Sequence, residues 1–438
     1  MSAEHPNVLF VCVDAMRSDF ALGEYGRPKP FFDYFEREGT VFDTMISAAS
    51  STTPCVASYM TGQYPPENGV LSLREFSLDE HVTTLAEVFR NAGYETRAHV
   101  CGPLTSDTGL DAGFETYEHR DKDRTVYTDW FDEFKSALTD TSGPWFTYLH
   151  LWEAHIHRDL PRDGSATDIE YEESLRGVAE KLSELRSLLD MENTILAVTG
   201  DHGESITDGT LRNKAAVIGF NKVPIPFSDM RTRDLRSAID ERYFRPNGIE
   251  LEAFYNRLRY LSATDFPTAF HREGHGYHVY DFLTRVPFAL AGPGVADGRH
   301  VGTQVRQVDV FPTLLSAAGL DDGPETDGQN LLVDSIEERP AYTRAVGAFE
   351  SRDRWLDGVR TSDWKFVKGR ERPLRQLFHL KSDPQEVVNV VSEYPEKAAE
   401  LERLVDEFVA REPSSGQSEI STEAERRMTD RLEDLGYL

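Results

Sequence analysis

Four groups of ionisable side chains in this 438-residue chain fall beside short apolar runs. Asp14 follows Val8 to Val13. Glu153, His155 and His157 follow Trp145 to Trp152. Asp201 and His202 follow TILAVTG, which ends at Gly200. His275 and His278 instead precede VPFALA, Val286 to Ala291. Ligands of open parallel sheets bind beyond the carboxyl ends of strands. Carboxylates and imidazoles gathered along one such edge form a candidate metal site. Mixed carboxylate and histidine ligation suits Zn or Mn, whereas carboxylates alone suit Ca or Mg.

A pair of hydroxyls belongs with these groups. Ser50-Ser51-Thr52-Thr53-Pro54 precedes CVASYMTG. Ser and Thr cap helix starts, Pro is favoured in the first turn, and Gly62 supplies a stop. Thr52 and Thr53 are therefore expected at a helix N-terminus, where free amides and the helix dipole favour an anion. Plain N-capping accounts for such a pair on its own. Held against a divalent cation, a hydroxyl there would ionise near neutrality, as metal-bound water does when its pKa falls from about 15.7 to about 7.

The elements that must position these groups read as a layered α/β domain. The runs Val8 to Val13, Arg97 to Cys101, Trp145 to Trp152, Thr194 to Thr199 and Val286 to Ala291 suit strands buried on both faces of a parallel sheet. Helical patterns at Val82 to Ala92, Ile169 to Leu189 and Val308 to Ala318 lie between or after them. Residues 205–274 are polar and Pro-interrupted, which predicts an insertion that could serve as a lid. Beyond about 335, Trp355 to Lys368 and Leu374 to Leu380 read as antiparallel strands and Pro395 to Arg411 as a helix. Arg411 to Ser421 reads as a mobile linker, and a last short helical pattern ends at Leu438. The expected division is a catalytic domain at 1–334 containing the insertion, a sheet-plus-helix subdomain at 335–411, and a linker with terminal helix at 412–438.

Acidic residues number 76 against 47 basic ones, for a net charge of -29. Such an excess repels phosphates and anionic lipid, which disfavours nucleic acid as a partner. With Lys scarce relative to Arg, it also predicts a halophilic source. Cys12, Cys55 and Cys101 are an odd count without metal-type spacing, and Cys12 and Cys101 are expected to be buried thiols. The opening MSAEHPNVLF lacks a signal-peptide pattern, and no apolar run approaches the ~20 residues that span a bilayer. The expectation is a cytoplasmic protein without an integral membrane segment.

Six segments in order resemble the sulfatases of the alkaline-phosphatase superfamily. NVLFVCVDAMRSDFALGEYG resembles the first strand with its metal-binding Asp, and STTPCVASYMTGQYPPENGV the signature helix. TGDHGE resembles the second metal-binding element, and EGHGYHVYDFLTRVPFALAGPG the His-bearing segment before a late strand. VDVFPTLLSAAGL is similar to a family helix, and RTSDWKFVKG with LFHLKSDPQEVVNV to the C-terminal subdomain. The resemblance implies an alkaline-phosphatase-like layered α/β fold with a mostly parallel central sheet and a small C-terminal antiparallel subdomain. It implies one or two divalent metal ions per chain, held by Asp14, Asp201, His202 and Thr52. Thr52 would also be the nucleophile, working through a covalent intermediate.

The chain departs from the usual family pattern, in which a Cys or Ser within C-x-P-x-R becomes formylglycine. Pro54 and Thr61-Gly62 place Thr52 at that position and Val56 at the Arg position, while Cys55 falls out of frame. No formylglycine is expected. Asp14 is followed by Ala15 where paired Asp is usual, and Asp201 by His202 where Asn is usual. Both changes move the preference from Ca towards Zn or Mn. His155 and His275 resemble second-site ligands or acids for the leaving group. Glu153 is a candidate for a second metal, and Arg17, with Lys222 behind it, for neutralising substrate oxygens. His157 and His278 read as structural or exposed, and Asp309 as a cap or packing residue. The implied activity is hydrolysis of a small anionic sulfate or phosphate ester. The alternatives are a phospho-group transferase or phosphodiesterase of the same superfamily, and a non-catalytic binding protein on its scaffold.

Overall fold

The run NVLFVCV forms strand β1 (Asn7–Val13) at the centre of a nine-stranded sheet in the computed structural model. The structure describes residues 5–24, 31–73, 76–121, 123–141, 143–155, 168–204, 275–320, 323–346, 354–371, 373–386, 388–412 and 420–434. The insertion expected at 205–274 lies outside them, with Lys222 and His157.

The other apolar runs give β3 (Glu95–Val100), β5 (Trp145–Leu151), β6 (Thr194–Gly200) and β7 (Arg285–Ala291). β2 (Gly39–Ile46), β4 (Thr116–His119), β8 (Arg299–Val301) and β9 (Val305–Arg306) complete the sheet. Its order is β4-β3-β5-β1-β6-β7-β2-β8, with β9 also on β2. All pairings are parallel except those of β7, which runs antiparallel to β6 and to β2. That reversal explains the odd position of His275. The start of an antiparallel strand lies at the carboxyl edge of its parallel neighbours, so a residue ahead of β7 reaches the same rim as Asp14 and Asp201.

Alternation along β1 sorts its side chains into two helical layers. Val8, Phe10 and Cys12 pack with α3 (Thr52–Thr61), α5 (Leu85–Asn91) and α9 (Val310–Ala317), through Tyr59, Phe89 and Phe311 among others. Leu9, Val11 and Val13 pack with α2 (Phe32–Glu38), α6 (Asp129–Thr139) and α7 (Asp168–Arg186), through Phe35, Phe134 and Tyr171. Phe10 meets Tyr59 edge-on at 5.2 Å between ring centres. Truncating such a side chain to Ala removes ~3–5 kcal/mol of stability. The short turns α1 (Ser18–Ala21), α4 (Pro65–Asn68) and α8 (Asp281–Thr284) precede α2, α5 and α9 respectively.

A second sheet of four antiparallel strands follows: β10 (Ala341–Ala345), β11 (Leu356–Arg360), β12 (Trp364–Gly369) and β13 (Arg375–His379). The stretch expected as one strand from Trp355 to Lys368 is two, because Thr361 to Asp363 turn the chain and the Thr361 amide donates to the Trp364 carbonyl at 2.8 Å. Helix α10 (Pro395–Val409) packs on this sheet, with Pro395 in its first turn, and α11 (Thr422–Asp434) lies near the C-terminus. Arg411 and Glu412, the first residues of the expected linker, are anchored: Arg411 pairs with Glu67 and Asp327, and Glu412 with Arg344 and Arg370. Among the described residues no helix is long and apolar enough to cross a membrane.

Candidate active site

Thr52 stands at the head of α3, whose ten residues are all buried and which ends at Gly62 with φ 68. A side chain at Gly62 would meet Thr326 as well as the left-handed backbone. The segment between β2 and α3 docks on the second sheet, where Ala49 bridges Arg344 and the Ser50 amide donates to the Arg344 carbonyl at 2.9 Å. Gln307 ties this segment to the end of β6. Its side chain accepts from the Ala48 amide at 3.0 Å and donates to the Asp201 carbonyl at 2.8 Å.

The turn after β1 is equally constrained. Ala15 adopts φ 59, a left-handed conformation costly for a residue with a Cβ, and directs its amide onto Asp201 Oδ1 at 2.9 Å. The Tyr171 hydroxyl holds the turn, donating to the Ala15 carbonyl at 2.6 Å and accepting from the Arg17 amide at 2.8 Å. After β6, Gly203 donates to the Leu283 carbonyl at 2.8 Å, and any Cβ there would strike the Phe282 carbonyl.

These constraints bring Asp14, Thr52, Asp201 and His202 together, all fully buried. His202 Nε2 lies 3.2 Å from Thr52 Oγ1, 3.4 Å from Asp201 Oδ2 and 3.7 Å from Asp14 Oδ1. Its Nδ1 lies 2.8 Å from the Gly203 carbonyl oxygen, so Nδ1 carries the proton and Nε2 presents its lone pair to the cluster. Burial and then His275 depress this imidazole to about 4, against the opposing pull of Asp201, which keeps it neutral. Burial pushes Asp201 up, but the His202 and His150 rings and the Ala15 amide outweigh it and hold its carboxyl well below the usual range. Asp14 is pushed well above that range, first by burial and then by Asp201, Glu204 and Glu153.

Both carboxylate oxygens of Asp14, and Oδ2 of Asp201, are buried without a hydrogen-bond donor. Buried carboxylates are normally paired, hydrogen-bonded or bound to metal. Asp14, Asp201 and His202 each offer a ligand atom, all within 4.8 Å of one another. Two carboxylates and a neutral imidazole, with a hydroxyl 3.2 Å from the imidazole nitrogen, fit a divalent cation.

A second cluster adjoins the first. His155, Glu204 and His275 also offer atoms within 4.8 Å of one another. The His275 ring centre is 4.1 Å from that of His202 and 5.3 Å from that of His155. Burial lowers His275, but Glu204, 3.1 Å from its Nδ1, and Asp201 more than offset this and raise it above the ordinary histidine value.

Other residues singled out in the sequence sit elsewhere. Glu153, a candidate ligand for a second metal, is taken up by Arg120 at 2.9 Å and by the Val126 amide at 2.9 Å. Its charge is thereby matched by a buried guanidinium rather than offered to a cation. Arg17 is buried, pairs with Asp19 at 2.8 Å and donates to the Glu204 carbonyl at 3.0 Å. This braces the loop after β6 and neutralises the charge expected to meet substrate oxygens. His278 stacks on Tyr280 and meets Gln376. Asp309 pairs with Arg306 and caps the Gln329 amide. Glu204, His150 and Arg120 were not among the residues singled out in the sequence. Glu204 had a signal, standing two residues after His202, whereas His150 is concealed in an apolar strand and Arg120 in a loop.

A mostly parallel α/β sheet whose carboxyl rim gathers buried carboxylates, imidazoles and a helix-head hydroxyl has the alkaline-phosphatase-like architecture. The family model described as Sulfatase matches residues 6–320, and the chain belongs to the sulfatase family of ester hydrolases. It is similar to arylsulfatase K of Danio rerio, 23% identical over a gapped alignment of 459 positions that covers 93% of this chain and 84% of that protein. Among solved structures it is similar to a 2-O GAG sulfatase, with TM-score 0.66 and 17% identity over 96% of each chain. It is also similar to the phosphonate monoester hydrolase of Agrobacterium radiobacter, with TM-score 0.63 and 16% identity over 93% of this chain and 96% of that one. At these identities the structural likeness speaks for the fold.

Proposed function

We propose that this chain hydrolyses sulfate or phosphate esters with the Thr52 hydroxyl as nucleophile, beside a divalent cation, Zn or Mn by its donor set, held by Asp14, Asp201 and His202. One observation carries the reading: buried carboxylate oxygens of Asp14 and Asp201 without donors sit around His202 Nε2, which is 3.2 Å from Thr52 Oγ1.

When bound, such a cation supplies the charge that favours an ionised hydroxyl and polarises an ester oxygen. Thr52 Oγ1 attacks the sulfur or phosphorus, and the bond to the leaving oxygen breaks. His275, whose hold on a proton is strengthened by Glu204 against the effect of burial, is the candidate to give that oxygen a proton, with His155 beside it. Water then hydrolyses the ester on Thr52. The amides at the head of α3 favour the anionic part of the substrate. Cys55 is no rival nucleophile: its thiol is buried, donates to the Ala49 carbonyl at 3.1 Å and is held well above its ordinary pKa by burial.

Activity on para-nitrophenyl sulfate, phosphate and phosphodiester, each with Zn or Mn, tests the reading and separates sulfatase from phosphodiesterase. Thr52→Ala is expected to abolish every activity the protein shows, while Ser51→Ala retains it. Full activity in Thr52→Ala would sink the assignment.

A further inference from the structure

A buried chain of side chains leads away from Asp201, behind the residues assigned to the cation. His150, near the end of β5, has Nε2 3.9 Å from Asp201 Oδ2 and Nδ1 3.1 Å from Cys101 Sγ. Arg120 Nη2 donates to the His150 carbonyl at 2.7 Å and lies 3.8 Å from Cys101 Sγ, while its Nη1 meets Glu153. Cys101, Arg120, His150 and Asp201 are fully buried. We infer that Cys101 is a positioning residue for Asp201, acting through His150: its thiol donates to His150 Nδ1 and so fixes the tautomer that presents Nε2–H to Asp201. The inference rests on the assignment of Asp201 as a ligand.

The sulfur has one proton and two acceptors within reach, His150 Nδ1 at 3.1 Å and the His150 carbonyl at 3.4 Å. That carbonyl already accepts from Arg120 at 2.7 Å, and the same guanidinium nitrogen approaches the sulfur. The nearer, uncommitted ring nitrogen therefore takes the S–H. Burial keeps the thiol protonated. With Nδ1 accepting, the ring carries its proton on Nε2. Nε2 has no hydrogen-bond acceptor and faces an Asp201 oxygen that has no donor. At 3.9 Å this is a charge–dipole contact rather than a hydrogen bond. It favours the ionised carboxylate and orients it, as outer partners of metal ligands do. The opposite tautomer would set a bare lone pair against the carboxylate.

A long-range ¹H–¹⁵N correlation spectrum of metal-stripped, ¹⁵N-histidine-labelled protein reads the tautomer directly, with His150→Gln assigning the signal. The expected result is a protonated Nε2 and a bare Nδ1. Competition with a chelator then gives the dissociation constant for Mn²⁺. Cys101→Val is expected to weaken it by about 10–100-fold, and Cys101→Ser, which keeps a donor, to restore most of the loss. A wild-type His150 protonated on Nδ1, or a Cys101→Val protein that binds Mn²⁺ as tightly as wild type, overturns the inference. If wild type binds neither Mn²⁺ nor Zn²⁺, the cation assignment fails separately, and the spectrum still decides the tautomer.

Discussion

Thr52 Oγ1 and His202 Nε2 stand 3.2 Å apart in a fully buried site, and His202 turns its other nitrogen to the Gly203 carbonyl. The hydroxyl therefore faces a lone pair rather than an N–H. Two substitutions separate chemistry from packing. Thr52→Val keeps the shape and is expected to lower kcat by about 10⁴-fold or more, as loss of a nucleophile does. Thr52→Ser keeps the hydroxyl and is expected to retain much of the rate. Steady-state kinetics on the best aryl ester check both, and equal losses in the two variants would point to packing instead.

Asp14 and Asp201 crowd two carboxyl groups into a buried site, where burial and the charge of Asp201 oppose the ionisation of Asp14. Without a cation that arrangement destabilises the fold; with one it favours the loaded form. Mn²⁺ or Zn²⁺ at about 100 times its dissociation constant is expected to stabilise wild type by about 2.7 kcal/mol. Asp14→Asn should do two opposite things: raise the Tm of the metal-stripped protein and erase the rise on adding metal. Differential scanning calorimetry with and without a chelator measures both. A metal-stripped Asp14→Asn protein that melts below wild type would contradict the repulsion argument.

Much of this arrangement was legible in the sequence. The apolar runs at β1, β5 and β6 declared buried parallel strands, and Asp14 and Asp201 stood where such strands end. The direction of β7 was not legible, because an apolar run carries no polarity. β2 escaped because Asp43 and Thr44 interrupt it where its register against β7 shifts between Phe42 and Met45. His150 was hidden by its own strand, and the use of Glu153 by a partner, Arg120, far away in sequence. Glu412 looked like linker for the same reason, since local composition does not reveal Arg344 and Arg370.

Glu386 offers a pH test away from the metal residues. It has a left-handed backbone, φ 54, and its buried carboxyl meets Lys365 and the Asp281 amide. Burial, and then the charge of Asp281, raise it from 4.5 to about 7, although Lys365 pulls the other way. A group raised on folding binds its proton more tightly in the native state. Its stabilisation is complete below about 4.5 and is lost as pH rises to about 7. Urea unfolding across that window is expected to show stability falling more steeply with pH in wild type than in Glu386→Gln. Identical slopes would remove Glu386 as the source.

Arg344 is fully buried and pairs with Asp357 at 2.8 Å and Glu412 at 2.6 Å. Removing one partner of such a group leaves uncompensated buried charge. Arg344→Met is expected to cost about 3–5 kcal/mol in urea unfolding. Glu412→Gln should cost clearly less, because its side chain is 18% exposed and water can share its role. Equal costs would mean that the stretch after α10 is anchored as firmly as the sheet itself.

The net charge of -29 leads to a prediction about salt. Two effects oppose each other. Screening weakens surface ion pairs such as Arg375–Glu402, but such pairs contribute only ~0–1 kcal/mol each. Screening also relieves the mutual repulsion of an acidic surface, which acts over the whole molecule. Raising KCl from 0.1 to 1 M shortens the screening length from about 10 to about 3 Å. With 76 acidic residues against 47 basic ones, relief of repulsion should win, and Tm should rise across that range. Chloride is the right anion for the experiment, because sulfate strengthens burial in any protein and is also a product of the proposed reaction. A Tm that stays flat or falls with KCl would remove the case for adaptation to salt.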